Sequence, residues 1–226
     1  MTQAEFMRLA RAAAQAVNVA WTPALEALVT YGLQSPSLSA FARFGRLTIA
    51  PDAKPAEAQT YFQAFLLSHI REREGQLHLR EVSTVADPAV DVILAAFAGM
   101  QEDTQTQARL LHRQSMAAEN LLGALLERYL ARELEPHGWV WCAGNTIRAV
   151  DFIRLDLSLA LQVKNRSNSE NSSSSAIRVG TEILKWYRVN ANTGRTNWEK
   201  FPAELPAPLS EEGFHDFIRE YAKGVH

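Results

Sequence analysis

The sequence has a single cysteine, Cys142, so no internal disulfide can form and nothing marks a disulfide-stapled secreted scaffold. It has no run approaching the roughly 18 consecutive apolar residues of a membrane span. Its opening residues, MTQAEFMRLARAAAQAVNVAW, lack the basic start and unbroken apolar centre of a secretory leader, so the expected location is the cytoplasm. A basic excess is missing too: 23 Lys and Arg stand against 25 Asp and Glu, a net charge of −2. Proteins that hold nucleic acid without regard to its sequence carry such an excess, because phosphate neutralisation drives their affinity, and the composition speaks against that class.

What is present suits a folded soluble chain, with 47% hydrophobic and 21% charged residues in 226. That length supports one sizeable core, or one domain with a small appended helical part. The first stretch reads as helices. Phe6, Leu9, Ala10, Ala13 and Val17 recur at helical spacing, and Thr22-Pro23 and Ser35-Pro36 are cap-then-proline starts. The second of these predicts a short helix through Phe41 and Phe44, and a further helix is expected over 56–70. His69, Glu72, Glu74 and His78 lie close in sequence. They lack the i, i+4 histidine pair and third ligand of a zinc helix, so they are read as structural. Asp87-Pro88 opens a helix over 89–97 that ends near Gly99, and a long helical pattern runs from about 103 to 134. Glu119 and Glu127 sit in it two turns apart, and helical patterning alone reads both as solvent-facing acids. Pro136-His137-Gly138 breaks that helix, Trp139 to Cys142 reads as a strand in which Cys142 is a core residue, and Ser210 caps a last helix through Phe214, Phe217 and Tyr221. Strands adjacent in sequence with helices on either side predict an α/β domain with a mixed central sheet.

The chain is organised around 147–168, IRAVDFIRLDLSLALQVKNRSN. Two apolar runs flank a reversal at Asp156-Leu157, and a hairpin centred there pairs residues whose numbers sum to 313, so that Ile153 faces Ala160 and Asp151 faces Gln162. Asp-Leu is a poor pair for a tight primed turn, which leaves a longer loop open. Period-two alternation puts Gln162 and Lys164 on one strand face. A carboxylate, an amide oxygen and an ammonium in one place can hold a hard divalent cation and steady a water or a phosphoryl oxygen. The same spacing also fits a structural hairpin with wet polar ends.

Asp151, Gln162, Lys164 and the run QVKNRSNSENSSSS from Gln162 to Ser175 resemble the PD-(D/E)xK nuclease pattern, and more narrowly the SinI/AvaII-type type II restriction endonucleases. The resemblance extends from His112 to Pro202, through HRQSMAAENLLGALLERYLA and GTEILKWYRVNANTGRTNWEKFP. It implies a restriction-endonuclease-like core with a mixed sheet flanked by helices over 105–226, preceded by a largely helical part, 1–104, for dimerisation or for embracing DNA. It implies Mg²⁺ held by Asp151 and Gln162, a water positioned by Lys164, and Glu119 as the helper acid from a neighbouring helix. The chain departs from the pattern twice: Gln162 replaces the acid two residues before the lysine, and Val150 replaces the proline before Asp151. An amide brings no charge, which is why a helper acid is expected.

In that context the polar run after Lys164 is read as a DNA-contacting loop rather than a linker, with Asn165, Arg166, Ser167, Asn168, Asn171 and Ser172 bonding phosphates and base edges. Arg178, Lys185, Arg188, Asn190, Asn192, Arg195 and Asn197 are the next candidates, in a segment that fits a helix or a hairpin with a turn at Asn192-Thr193-Gly194-Arg195. Between 162 and 200 seven basic residues outnumber three acids, so a basic face is local even though the chain is not basic. The resemblance further implies double-strand cleavage of a short palindrome like GGWCC, a homodimer matched to that two-fold site, and a methyltransferase acting on the same sequence. The rival readings are a nicking or repair nuclease of the same fold, a non-cleaving DNA-binding regulator, and a helical interaction module.

Overall fold

The computed structural model describes residues 1–80, 87–167 and 183–224. Local rules place its first helices. In α1 (Gln3–Ala16) the Thr2 hydroxyl accepts the Glu5 N–H while the Glu5 carboxylate accepts the Thr2 N–H, satisfying two of the donors that a helix start leaves open. The stripe expected from sequence, Phe6, Leu9, Ala10 and Ala13, is the buried face. Thr22 caps α2 (Pro23–Gln34) with proline at its first position, and α3 (Pro55–Glu74) follows.

The helix expected through Phe41 and Phe44 does not form. Within a short 3-10 segment at Pro36–Leu38 the chain takes left-handed angles at Ser37 and Leu38, and Phe41 then pairs with Ile147 in an isolated antiparallel bridge. Aromatic packing overrides the cap signal. The Phe41 ring meets Tyr61, Phe62 and Phe65 edge-on at 5.8, 5.9 and 6.0 Å between centroids, and it lies against Gly32 so closely that a Cβ there would fall 2.3 Å from the ring. Gly32→Ala therefore overpacks the core, and a loss of about 1–3 kcal/mol is expected in urea unfolding even though alanine is the better helix former.

Downstream come α4 (Pro88–Ala98) and the long α5 (Glu102–Leu134), then β1 (Trp139–Trp141), β2 (Phe152–Arg154), β3 (Ala160–Arg166), β4 (Ile183–Val189) and α6 (Glu211–Lys223). The four strands form one sheet in the order β1-β2-β3-β4, antiparallel across the first two junctions and parallel at the third, so the sheet is mixed, as expected. The hairpin register matches the arithmetic: Ile153 pairs with Ala160 and Phe152 with Leu161. The reversal is a longer loop than Asp156-Leu157 alone. The Arg154 N–H donates to the Leu159 carbonyl, Leu157 takes a positive φ, and Asp156 accepts the Ser158 N–H. The segment left open between helix and hairpin is a strand, β4, followed by a turn in which the Asn190 carboxamide accepts the N–H groups of Asn192 and Thr193.

Alternation along the strands divides the core in two. Val140, Cys142, Ile153 and Ala160 pack with α1, α2 and α3, whereas Trp139, Trp141, Phe152, Leu161, Val163 and Trp186 pack with α5 and α6. Gln162 and Lys164 share Ala160's face of β3. Helices α1, α2 and α3 are thus one layer of the same sandwich as the sheet. Among the described residues no helix is long and apolar enough to cross a membrane.

Candidate active site

Asp151 stands one residue before β2, where the ladder with β3 ends. Its N–H donates to the Leu161 carbonyl at 2.9 Å, and its carboxylate accepts the Val163 N–H at 2.7 Å. The side chain thereby takes up a donor that the short strand leaves unpaired, and it is fixed against the backbone of β3 between Gln162 and Lys164. Gln162 is buried and Lys164 exposed, so the strand delivers an amide below the surface and an ammonium at it.

The acid that joins them is Glu127 of α5, which corrects the solvent-facing reading. Glu127 is half-buried, and its carboxylate accepts the Trp141 indole N–H at 3.0 Å. Burial pushes its carboxyl up to about 7, with the Asp151 charge adding to the rise and the Trp141 N–H opposing it. Burial likewise pushes Asp151 up to about 6, against the pull of the Val163 N–H and the Lys164 ammonium. Two carboxyls are therefore crowded into one poorly solvated place beside one amine. Trp141 is itself fixed, with the Arg73 and Arg128 guanidinium groups 5.7 and 5.9 Å from its ring centroid. Arg73 is paired with Glu135, and Arg128 donates to the carbonyls of Glu72 and Gly75 that end α3.

Glu119 stands elsewhere. Its side chain is 60% exposed, and its carboxylate lies 4.0 Å from the Arg166 guanidinium at the end of β3. The sequence carried a signal for the difference. Glu127 shares the i, i+3, i+4, i+7 stripe of Leu130, Ala131 and Leu134, all buried, whereas Glu119 lies in an exposed stretch of α5, residues 118–120. Trp141 was missed because its ring nitrogen's partner lies 14 residues upstream on another element.

Parallel pairing of β3 with β4 brings their C-terminal ends to one rim. Arg166 pairs with Val189, and the Ser167 hydroxyl accepts the Ala191 N–H. Arg166, Asn192 and Arg195 are exposed there, with Lys185 exposed on β4 opposite Gln162. Asn190 holds the turn together, and Asn197 is half-buried beside Trp198, its carbonyl accepting the Trp186 N–H. Arg188 is 8% exposed: its guanidinium donates to Asn165 and Glu211 and lies over the Phe214 ring. In this arrangement it braces Asn165 and is not presented to a base. Asn168, Asn171, Ser172 and Arg178 lie outside the described residues.

Both acids and the amide offer hard oxygen ligands, the kind Mg²⁺ takes while keeping several waters, and a cation between the carboxylates would offset the burial that raises both and the Asp151 charge that adds to the rise of Glu127. Among the described residues no group of three or more His, Cys, Asp or Glu side chains gathers at one point. His69, as expected, is structural. It is buried against the Ala143 carbonyl, and burial pushes its imidazole down to about 4.

A mixed sheet between helices, with acids and a lysine at the end of its hairpin, is an arrangement suited to a metal-dependent nuclease. Residues 56–224 match the model of the SinI restriction endonuclease family, and the chain belongs to that family. It is 47% identical over 144 residues to the type II restriction enzyme Eco47I of Escherichia coli, covering 62% of this chain and 63% of that protein. It is 44% identical over 148 residues to the type II restriction enzyme SinI of Salmonella infantis, covering 63% and 64%. The matches span just under two thirds of the length of these relatives.

Proposed function

We propose that the protein is a Mg²⁺-dependent type II restriction endonuclease that cuts both strands of DNA at a short palindrome, GGWCC-like by family resemblance, as a homodimer. The observation that carries this reading is the crowding of Asp151 and Glu127 beside Lys164, in a chain of the SinI family. Asp151, Glu127 and the Gln162 amide oxygen would hold Mg²⁺, which when bound supplies a Lewis acid for the phosphate and a more acidic water. Lys164, exposed at the same end of the sheet, donates hydrogen bonds to the attacking water and to a phosphate oxygen. Glu119 enters this reading as a partner that orients Arg166, rather than as a ligand.

Arg166, Ser167, Lys185, Asn192 and Arg195 form the described part of the DNA-contacting rim, continued by Asn168, Asn171, Ser172 and Arg178. Asn165, Asn190 and Asn197 contribute where their backbone-holding roles leave polar atoms over. Residues 1–104 form the helical part and 105–226 the catalytic and recognition part of one sandwich. A methyltransferase protecting the same sequence completes the system without binding this protein.

The test is digestion of a sequenced plasmid by the purified protein with Mg²⁺, followed by reading the ends. Linear product with ends at one repeated palindrome is expected, while nicked circles alone would favour a single-strand nuclease and intact supercoils a regulator.

Trp141→Phe keeps the ring but deletes the N–H that lowers Glu127's carboxyl. Mg²⁺ affinity is expected to fall about 10–100-fold, as for other groups that orient a ligand, and the acid limb of the cleavage pH profile should move to higher pH. Titration of cleavage rate against Mg²⁺ at several pH values checks both.

A further inference from the structure

Arg188 is buried, and its guanidinium is held from three sides. Its Nε–H donates to Asn165 Oδ1 at 3.0 Å, its Nη1–H donates to the Glu211 carboxylate, and its plane lies over the Phe214 ring, 5.3 Å from the centroid. Glu211 is fixed in turn, because its other oxygen accepts the Trp198 indole N–H at 2.8 Å in the first turn of α6. The group cannot swivel. Parallel pairing explains why Asn165 is the partner: it stands on β3 between Lys164 and Arg166, which face Tyr187 and Val189 of β4, so Asn165 and Arg188 are side by side on the face turned to α6. The step from Arg188 to Asn165 leads from the core to the rim. Asn165 is half-buried, and the next residue on its strand face, Ser167, already bonds the rim turn through Ala191. A guanidinium has five N–H donors and no acceptor, so only the oxygen of a carboxamide can face it. Asn165 therefore keeps its oxygen toward the core and its NH₂ turned away.

We propose that Arg188 and Glu211 are positioning residues that make Asn165 a donor-only contact in the major groove of DNA, one that accepts guanine and refuses adenine. This rests on the reading of the rim as a DNA-contacting surface. Guanine presents two acceptors there, O6 and N7, and the two N–H groups of one amide meet both. Adenine presents N7 beside its N6 amino donor, and asparagine reads that pair only by offering oxygen and nitrogen together. With the oxygen turned inward, amino group meets amino group. Cytosine, whose groove edge is an amino donor, is refused for the same reason. An unconstrained asparagine suits adenine, so the buried arginine reverses what the residue type alone would read. Exposed Lys164 and Arg166 on either side carry the charge that phosphates attract, and a fixed neutral donor pair between them adds discrimination instead.

The test is selection of bound duplexes from a randomised pool, with Mg²⁺ present and every chain carrying Lys164→Ala so that bound DNA stays intact. The reference chain should enrich guanine at a defined position. Asn165→Ala should erase that preference, lowering the guanine-to-adenine ratio there by about 10-fold or more. Asn165→Asp keeps an oxygen facing Arg188 but presents a second oxygen outward, so the preference should turn to cytosine or adenine, which donate. Arg188→Met combined with Glu211→Gln frees the carboxamide without leaving a charge unpaired, and adenine should then be admitted at the same position. Circular dichroism checks the fold of each chain, and should the double variant fail to fold, Asn165→Asp decides. Three results would overturn the proposal: Asn165→Ala weakening all duplexes equally, as a phosphate contact does; Asn165→Asp still selecting guanine; or a folded double variant still excluding adenine. If the predicted pattern holds but the chain with Lys164 intact leaves plasmid uncut, the contact stands and the nuclease reading falls instead.

Discussion

Replacing Glu127 by glutamine is expected to abolish cleavage, by on the order of 10³-fold or more, while making the metal-free protein more stable at alkaline pH. Both effects follow from one geometry. The carboxylate sits where burial and Asp151 disfavour its charge, so it is raised to about 7 from an ordinary 4.5. A carboxyl raised on folding binds its proton more tightly in the native state. The native state therefore loses stability as pH rises from about 4 to about 7, and the loss is complete above that. At 1.4 kcal/mol per pH unit, reduced for a half-buried group, the penalty at pH 8 is on the order of 2 kcal/mol. The amide removes the charge and can still accept the Trp141 N–H. Differential scanning should show Glu127→Gln melting about 4–8 °C above the parent at pH 8 and alongside it near pH 4, with Mg²⁺ raising the parent's melting temperature and not the variant's. Glu119→Gln, an exposed change, should leave melting within about 0.5 kcal/mol and keep most of the cleavage. The assignment falls if Glu127→Gln cuts normally and Glu119→Gln does not.

Lys164→Ala is the second large effect. Its side chain is exposed, so folding should be unaffected, whereas cleavage should drop by on the order of 10³-fold with duplex affinity changed only a few-fold. A structural lysine would not move the pH profile, but this one should. Its ammonium lowers both Asp151 and Glu127, so removing it raises both carboxyls and shifts residual Mg²⁺ binding to higher pH. Gel-shift affinity measured in parallel with single-turnover cleavage separates the two roles. Equal loss of binding and cutting would make Lys164 a phosphate contact alone.

Much of the molecule was legible in the chain because the signals were local. Thr22-Pro23, Asp87-Pro88 and Ser210 start helices where the caps said they would, since a side chain three bonds from the backbone needs no distant partner. The hairpin register followed from counting, because apolar matching and a short reversal leave few alternatives. Phe41 broke its local rule: the ring's burial against Gly32 and three other aromatic rings outweighed a helix cap. Arg188 did so as well, since composition marked it as a base reader and packing placed it between Asn165, Glu211 and Phe214.

The sequence by itself determined the helical caps, the strand pairing that sets Ile153 opposite Ala160, and the nuclease family through the motif around Lys164. Only the tertiary structure decided which glutamate is buried beside Asp151, which arginine is spent in the core, and that α4 is left uncovered. The division has a physical reason. Caps, alternation and register depend on neighbours within a few residues, whereas burial, and with it the pKa of an acid, depends on what another element brings alongside. Glu127 is half-buried and Glu119 exposed because of where the whole of α5 docks.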